Sequence, residues 1–286
     1  MYMSRKCAKC GIVSETEEAF HKPYYSDKIF YCPACREKDA IQHGESYLIA
    51  CVIVLIGGLV WVILSPQNEF AWLIFQAGLF GFFTIIAAAP HELGHILAAF
   101  MTRARIFQVT IGLGRILYNR DLWGIEWVFR AIPICGFTII GFNNRKFYRL
   151  RSFLVTSGGP LVNCLLIFAA MVLFFHISSQ WLLAVIRAFI AANVFELLFN
   201  LLPRKGNLAG TITPSDGLIL LTSPFMSELR INQEIEACYV WEINGYYRTG
   251  RIEDARRSYE KGLTLFPDSS AIKNEMDRHK GLPLRN

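Results

Sequence analysis

Four stretches of about 20 apolar residues constrain this chain more than anything else in it. Tyr47 to Ser65 (YLIACVIVLIGGLVWVILS) carries no charge. A second runs from Phe70 to Ala89 and continues to Met101, a third from Ser152 to Phe175 and a fourth from Trp181 to Leu202. Each is long enough to cross the hydrocarbon of a bilayer. With 53% hydrophobic and only 18% charged residues in 286, the apolar material lies in unbroken blocks, which points to lipid rather than a water-excluded core. The first block follows a polar, cysteine-bearing segment and so starts too late for a secretory signal.

Basic residues set the expected orientation. Residues 1–46 hold seven Lys or Arg, residues 103–151 nine and residues 203–286 twelve, whereas the connections 66–69 and 177–180 hold none. By the positive-inside rule both termini and the middle segment should be cytoplasmic, with two short outer loops. The formal charge of +6 sits beside apolar blocks, so it orients a membrane protein and no nucleic-acid partner is expected.

Three segments lie outside the spans. In residues 1–46, Cys7-Ala-Lys-Cys10 is followed by Cys32-Pro-Ala-Cys35. Two such pairs suit a four-thiolate structural zinc site, a small ribbon whose folding energy comes from the metal. Two disulfides are the alternative, which a cytoplasmic location disfavours. Residues 103–147 alternate β-branched and aromatic residues with polar ones and are broken by Gly112, Gly114, Gly124 and Gly136. That pattern predicts short strands and hairpins at the membrane surface. Residues 230–286 are polar and helical. There Tyr246, Gly250, Ala255, Tyr259, Gly262 and Pro267 fall at the spacings of one tetratricopeptide repeat, a candidate docking place for a regulatory protein.

The chemistry is concentrated in AAAPHELGHILAAF, residues 87–100. On a helix His91 and His95 share a face and can meet one metal, with Glu92 beside them. Zinc lowers the pKa of a water, the carboxylate takes its proton and the hydroxide attacks a carbonyl. Three polar side chains at membrane depth are expensive unless they have work to do, and Pro90 frees backbone groups just before His91. A hydrolytic site needs a third protein ligand. Asp121, Glu126 and His176 are poorly placed; Glu196, near the end of span four, and above all Asp216, in ThrProSerAspGly just after it, are the candidates.

Four ordered motifs then resemble the site-2 proteases, intramembrane zinc metalloproteases: HELGH at 91–95, the Gly-rich hairpin with IleProIleCysGly at 132–136, SerGlyGlyProLeuValAsn at 157–163, and AsnLeuLeuPro at 200–203 followed by SerAspGly at 215–217. Between the last two elements, ArgLysGlyAsnLeuAlaGlyThrIleThr looks like an insertion relative to the family's tighter spacing. The resemblance covers roughly residues 70–222. It implies that His91, His95 and Asp216 bind zinc, that Glu92 is the general base, and that Asn163 and Asn200 hold the substrate backbone or support the developing oxyanion; for the two asparagines, hydrogen bonds between helices are the alternative.

The expected protein is thus an α-helical multi-pass membrane protein of four spans with a membrane-associated β-hairpin insertion. A cytoplasmic zinc ribbon (1–46) precedes the protease core (47–222) and a helical hairpin (230–286) follows it. One catalytic and one structural Zn2+ are expected, with membrane-anchored proteins as substrates. The compact form suggests a bacterial cytoplasmic membrane. The competing reading is a membrane scaffold that keeps its metal for structure and acts through its ends; a general base at Glu92 speaks against it.

Overall fold

The computed structural model describes residues 5–7, 9–14, 32–208 and 211–279. Residues 15–31, the stretch between the two cysteine pairs, and residues 280–286 of the expected helical tail lie outside the described residues.

Four helices are long and apolar enough to cross a membrane, so the chain is a multi-pass membrane protein. They are α1 (Pro33–Leu64), α2 (Glu69–Met101), α3 (Tyr148–Phe174) and α4 (Gln180–Leu201). Helix α1 begins 14 residues before the apolar block that announced it. Its polar stem has helix-forming composition, and Pro33 occupies the first turn, where its missing N–H costs nothing. Helix α2 starts sharply because Asn68 accepts hydrogen bonds from the backbone of Phe70 and Ala71. It then runs unbroken through Pro90 and packs against α1, α3 and α4.

At the end opposite the expected cytoplasmic segments, Trp181 meets the edges of Trp72 and Phe75 at 4.7 and 5.7 Å. Trp72 also donates from its indole to the Pro66 carbonyl. Amphipathic rings of this kind mark a membrane–water boundary.

Near the start of the chain β1 (Arg5–Lys6) pairs antiparallel with β2 (Val13–Ser14). Between α2 and α3 the expected short strands prove to be two long ones, β3 (Arg105–Leu122) and β4 (Ile125–Gly141). Residues 105–111 pair with 136–141 near the root, and 116–122 pair with 125–130 toward the tip. Gln108–Ile111 also stands in register with Glu126–Phe129. The chain folds back this way because Gly112 and Gly114 take φ of +97° and +80°, a region closed to most side chains. On the side away from 105–111, Gly136–Gly141 meets no further strand among the described residues and so forms an open edge.

After α4 the insertion folds as a small hairpin of β5 (Lys205–Leu208) and β6 (Thr211–Pro214). Its ends are clipped together: Ser215 N–H donates to the Arg204 carbonyl at 2.8 Å, and Ser215 Oγ donates to the Leu202 carbonyl at 2.6 Å. The inserted residues therefore loop out, and α5 (Asp216–Thr222) starts where α4 stops. Gly217 is required there, since a Cβ would stand 1.9 Å from the Leu201 carbonyl oxygen.

The tail is three helices, α6 (Glu228–Arg248), α7 (Ile252–Leu265) and α8 (Ser270–His279). One buried cluster joins Ile96, Ala99, Val109 and Val155 of the membrane and hairpin elements to Ile235, Tyr239, Ile243 and Ile272 of the tail. The tail is thus packed on the core at the same end as the HELGH helix terminus. Arg248 of α6 also forms ion pairs with Asp121 and Glu126 near the hairpin tip.

Candidate metal centre

His91 and His95 are one turn apart on α2, both buried, and Asp216 reaches them from the first turn of α5. The Nε2 atoms of the histidines are 3.2 Å apart, and Asp216 Oδ2 is 2.9 Å from the first and 3.3 Å from the second. Ligands bound tetrahedrally to zinc at the usual N and O distances stand roughly 3.3 Å from one another. The three atoms fit one face of such a tetrahedron, and the fourth corner needs no protein atom. Burial by itself would raise the Asp216 pKa, but the imidazoles of His91 and His95 beside it outweigh it and hold the carboxyl at about 2. It is a carboxylate, as a metal ligand must be.

The imidazoles are held from behind. His95 Nδ1 is 2.9 Å from the carbonyl oxygen of Val155, and His91 Nδ1 is 2.6 Å from Asn163 Oδ1. The polarity of the second contact follows from a chain of hydrogen bonds. The Phe189 carbonyl can only accept, so Asn193 donates to it from Nδ2. Asn193 Oδ1 then accepts from Asn163 Nδ2 at 3.1 Å, leaving Asn163 Oδ1 to accept from His91. Both histidines therefore carry their proton on Nδ1 and turn a lone pair on Nε2 toward the centre. Sequence reasoning set Asn163 at the substrate; the structure buries it completely and engages both ends of its amide. Asn193 was not foreseen, though an asparagine in the middle of an apolar span was a visible sign.

Close approach of α3 makes this possible. Gly94 and Gly158 face each other so tightly that a Cβ on either would lie 2.3 Å from the other's carbonyl oxygen. A Cβ on Gly159 would stand 2.5 Å from both Nε2 atoms, within the space a metal needs. The glycines of HELGH and SerGlyGlyPro are thus gaps required by the geometry.

Glu92 is buried and accepts from Thr138 Oγ1 through Oε2 at 2.5 Å. Gly136 leaves room beside it, since a Cβ there would lie 2.6 Å from Glu92 Cγ. The free edge of β4 therefore runs directly past this carboxylate. Asn200 does not join the group: its Nδ2 donates to Glu196 Oε1 at 3.0 Å, one turn back on α4. Asp121 and Glu126 are committed to Arg248 at the far end of the hairpin. Cys135, on β4, is pushed up to about 12 by burial and by Glu92 and Glu196 nearby, and stays a neutral thiol.

A second cluster lies at the start of the chain. The Sγ atoms of Cys7, Cys10, Cys32 and Cys35 are all within 4.8 Å of one another. Cys10 and Cys32 are 3.6 Å apart, and the Cys32 N–H donates to Cys7 Sγ. Gly11, with φ of +76°, makes the tight turn after the first pair, and the described cysteines form no disulfide.

The sequence model of peptidase family M50 matches residues 77–256, more than half of the chain. The chain belongs to peptidase family M50. The match takes in HELGH, the hairpin, α3 and α4, Asp216 and the first tail helix, largely the stretch that resembled site-2 proteases. A Fusobacterium nucleatum protein named "Putative zinc metalloprotease FN1322" is 30% identical over 101 residues, which is 32% of this chain and 29% of that protein. The M50 chain thus covers less than a third of that relative's length.

The backing of His91 gives a first expected result. Asn163→Ala should weaken zinc binding about 10- to 100-fold, the usual effect of losing a partner that orients a metal-binding histidine. Competition with a zinc-sensitive dye measures it; unchanged affinity would show that His91 needs no such support.

Proposed function

We propose that this M50 chain is a zinc endopeptidase that cuts membrane-anchored proteins in or beside their transmembrane segments, as in regulated intramembrane proteolysis. The observation that carries the reading is the tetrahedral spacing of His91, His95 and Asp216 with Glu92 beside them, at the end of a membrane helix. Family membership and the relative's name support zinc as the metal. His91, His95 and Asp216 would hold it, and it would supply Lewis-acid activation of water and of a peptide carbonyl.

The chain's own residues do the rest. Thr138 occupies Oε2 of Glu92, so Oε1 is the oxygen left to take a proton from the attacking water and return it to the leaving amine. The edge Gly136–Gly141 offers free backbone groups along which an unwound substrate segment can lie as an added strand. His91 follows Glu69 by 22 residues on α2, about 33 Å of helix, which puts the site near the far face of the hydrocarbon. In this reading the basic segments make that face cytoplasmic, and the membrane is a bacterial inner one. Cys7, Cys10, Cys32 and Cys35 form a structural zinc ribbon in this reading, and the tail is a place for a regulatory partner.

Purified, detergent-solubilised protein offered model single-span substrates is expected to cleave them, to stop when zinc is stripped by a chelator and to resume when zinc is restored. Zinc-loaded protein that cleaves no span, with its fold intact, would favour the scaffold.

A further inference from the structure

A cavity of about 470 Å³ lies where the hairpin tip, the end of α2 and the tail meet. Four cations stand in its wall: Arg105 at the hairpin root and Arg251, Arg257 and Lys261 on the tail. Only two carboxylates oppose them. Glu242 is buried and spends its charge inward, 3.2 Å from Arg105 and 2.9 Å from Ser258 Oγ. Asp254 is shared by Arg251 and Arg257, at 2.6 and 2.8 Å. Lys261 has no acid partner among the described residues. The cavity therefore keeps a surplus of positive charge, and the cations on its tail side are exposed.

Its position supplies the second argument. Phe100 lines the cavity, and the last turns of α2 turn Leu97, Phe100 and Met101 outward with 58%, 62% and 86% of their surface free. That apolar strip belongs in lipid and leads straight into the charged cavity. Across from it Trp123, 92% exposed, sits with Gly124 in the two-residue turn between β3 and β4. Both have positive φ, +55° and +78°. A bulky residue is strained at the first position of such a turn, which Asn, Asp or Gly normally fills. An indole held there at a cost, fully outside the protein and level with the end of a span, suits a membrane interface.

We propose that this cavity binds the phosphate headgroup of an acidic phospholipid, with the acyl chains along Leu97, Phe100 and Met101. The leaflet is the one where α2 ends; only its label as cytoplasmic rests on the orientation given above. Because Arg248 ties the tail to Asp121 and Glu126 of the hairpin, a lipid bound here pins hairpin and tail together at the membrane surface. It does so without touching the metal centre.

The test is retention of lipid by the full chain, delipidated in neutral detergent and offered equal amounts of dioctanoyl-phosphatidylglycerol and dioctanoyl-phosphatidylcholine, read by native mass spectrometry. Wild type is expected to prefer the glycerol lipid by about tenfold or more, given the worth of each basic residue at a lipid surface. The double variant Arg257→Glu, Lys261→Glu should lose that preference while melting at the wild-type temperature, since both residues are exposed on α7. Excess inorganic phosphate should not displace the lipid. Equal retention of the two lipids by wild type, or undiminished preference in the double variant, would overturn the proposal. Displacement by phosphate would overturn it too and make the cavity a site for soluble anions. Peptide cleavage is not read, so this result and the fate of the proteolytic reading are separable.

Discussion

Glu92→Gln is expected to abolish cleavage while leaving the zinc content unchanged. The substitution keeps the shape of the side chain and the contact from Thr138, but an amide cannot take a proton from water at any working pH. Loss of a general base costs about 10²- to 10⁴-fold in rate, which would put the variant at or below the detection limit of a peptide-bond assay. His91, His95 and Asp216 make no hydrogen bond to Glu92, so the metal should stay. A kcat within a few-fold of wild type, in zinc-loaded protein, would falsify the role of Glu92. Parallel loss of zinc and activity would instead make Glu92 a structural member of the site.

The spans and the two histidines were legible because their signals are local: unbroken hydrophobicity over about 20 residues and an i, i+4 pair on a helix. The reach of α1 back to Pro33 was not, since its polar stem carries no apolar pattern and its start depends on a proline in the first turn. Asp216 needed more than spacing. The insertion before it obscures the distance from Asn200, and only the β5–β6 hairpin, closed by Ser215, shows that α5 still begins at the end of α4. Asn163 could be singled out by motif, but what its amide touches is decided by Asn193 and the Phe189 carbonyl on another helix. Thr138 gave no sign at all. Its hydroxyl matters only because Gly136 lets β4 pass close to Glu92, a tertiary fact.

The tail is a similar case. Its repeat-like spacing suggested a separate module, yet its buried residues continue a cluster that starts in α2. A helical tail whose apolar face is already covered by the membrane core has less of that face to offer a partner. Any docking of a regulator should then use the outer surfaces of α7 and α8.

Asp216→Ala separates the two candidate zinc sites. If His91, His95 and Asp216 form one site and the four cysteines another, the wild-type chain binds two ions. Removing the carboxylate leaves two imidazoles, too few protein ligands for a stable hydrolytic zinc centre. Zinc per chain should fall from two to one, and cleavage should vanish with it. The remaining ion should then depend on the cysteines, so that adding Cys7→Ser and Cys32→Ser empties the protein. Nothing in the structure makes this variant fail to fold: Asp216 is the first residue of a seven-residue helix whose cap is Ser215. The decisive contrast is with Glu196, the other carboxylate considered as third ligand, which the structure pairs with Asn200. Full zinc in Asp216→Ala, with loss in Glu196→Ala, would transfer the third ligand to α4 and require α4 to turn that face toward His91. The 2.9 Å approach of Asp216 to His91 predicts the opposite.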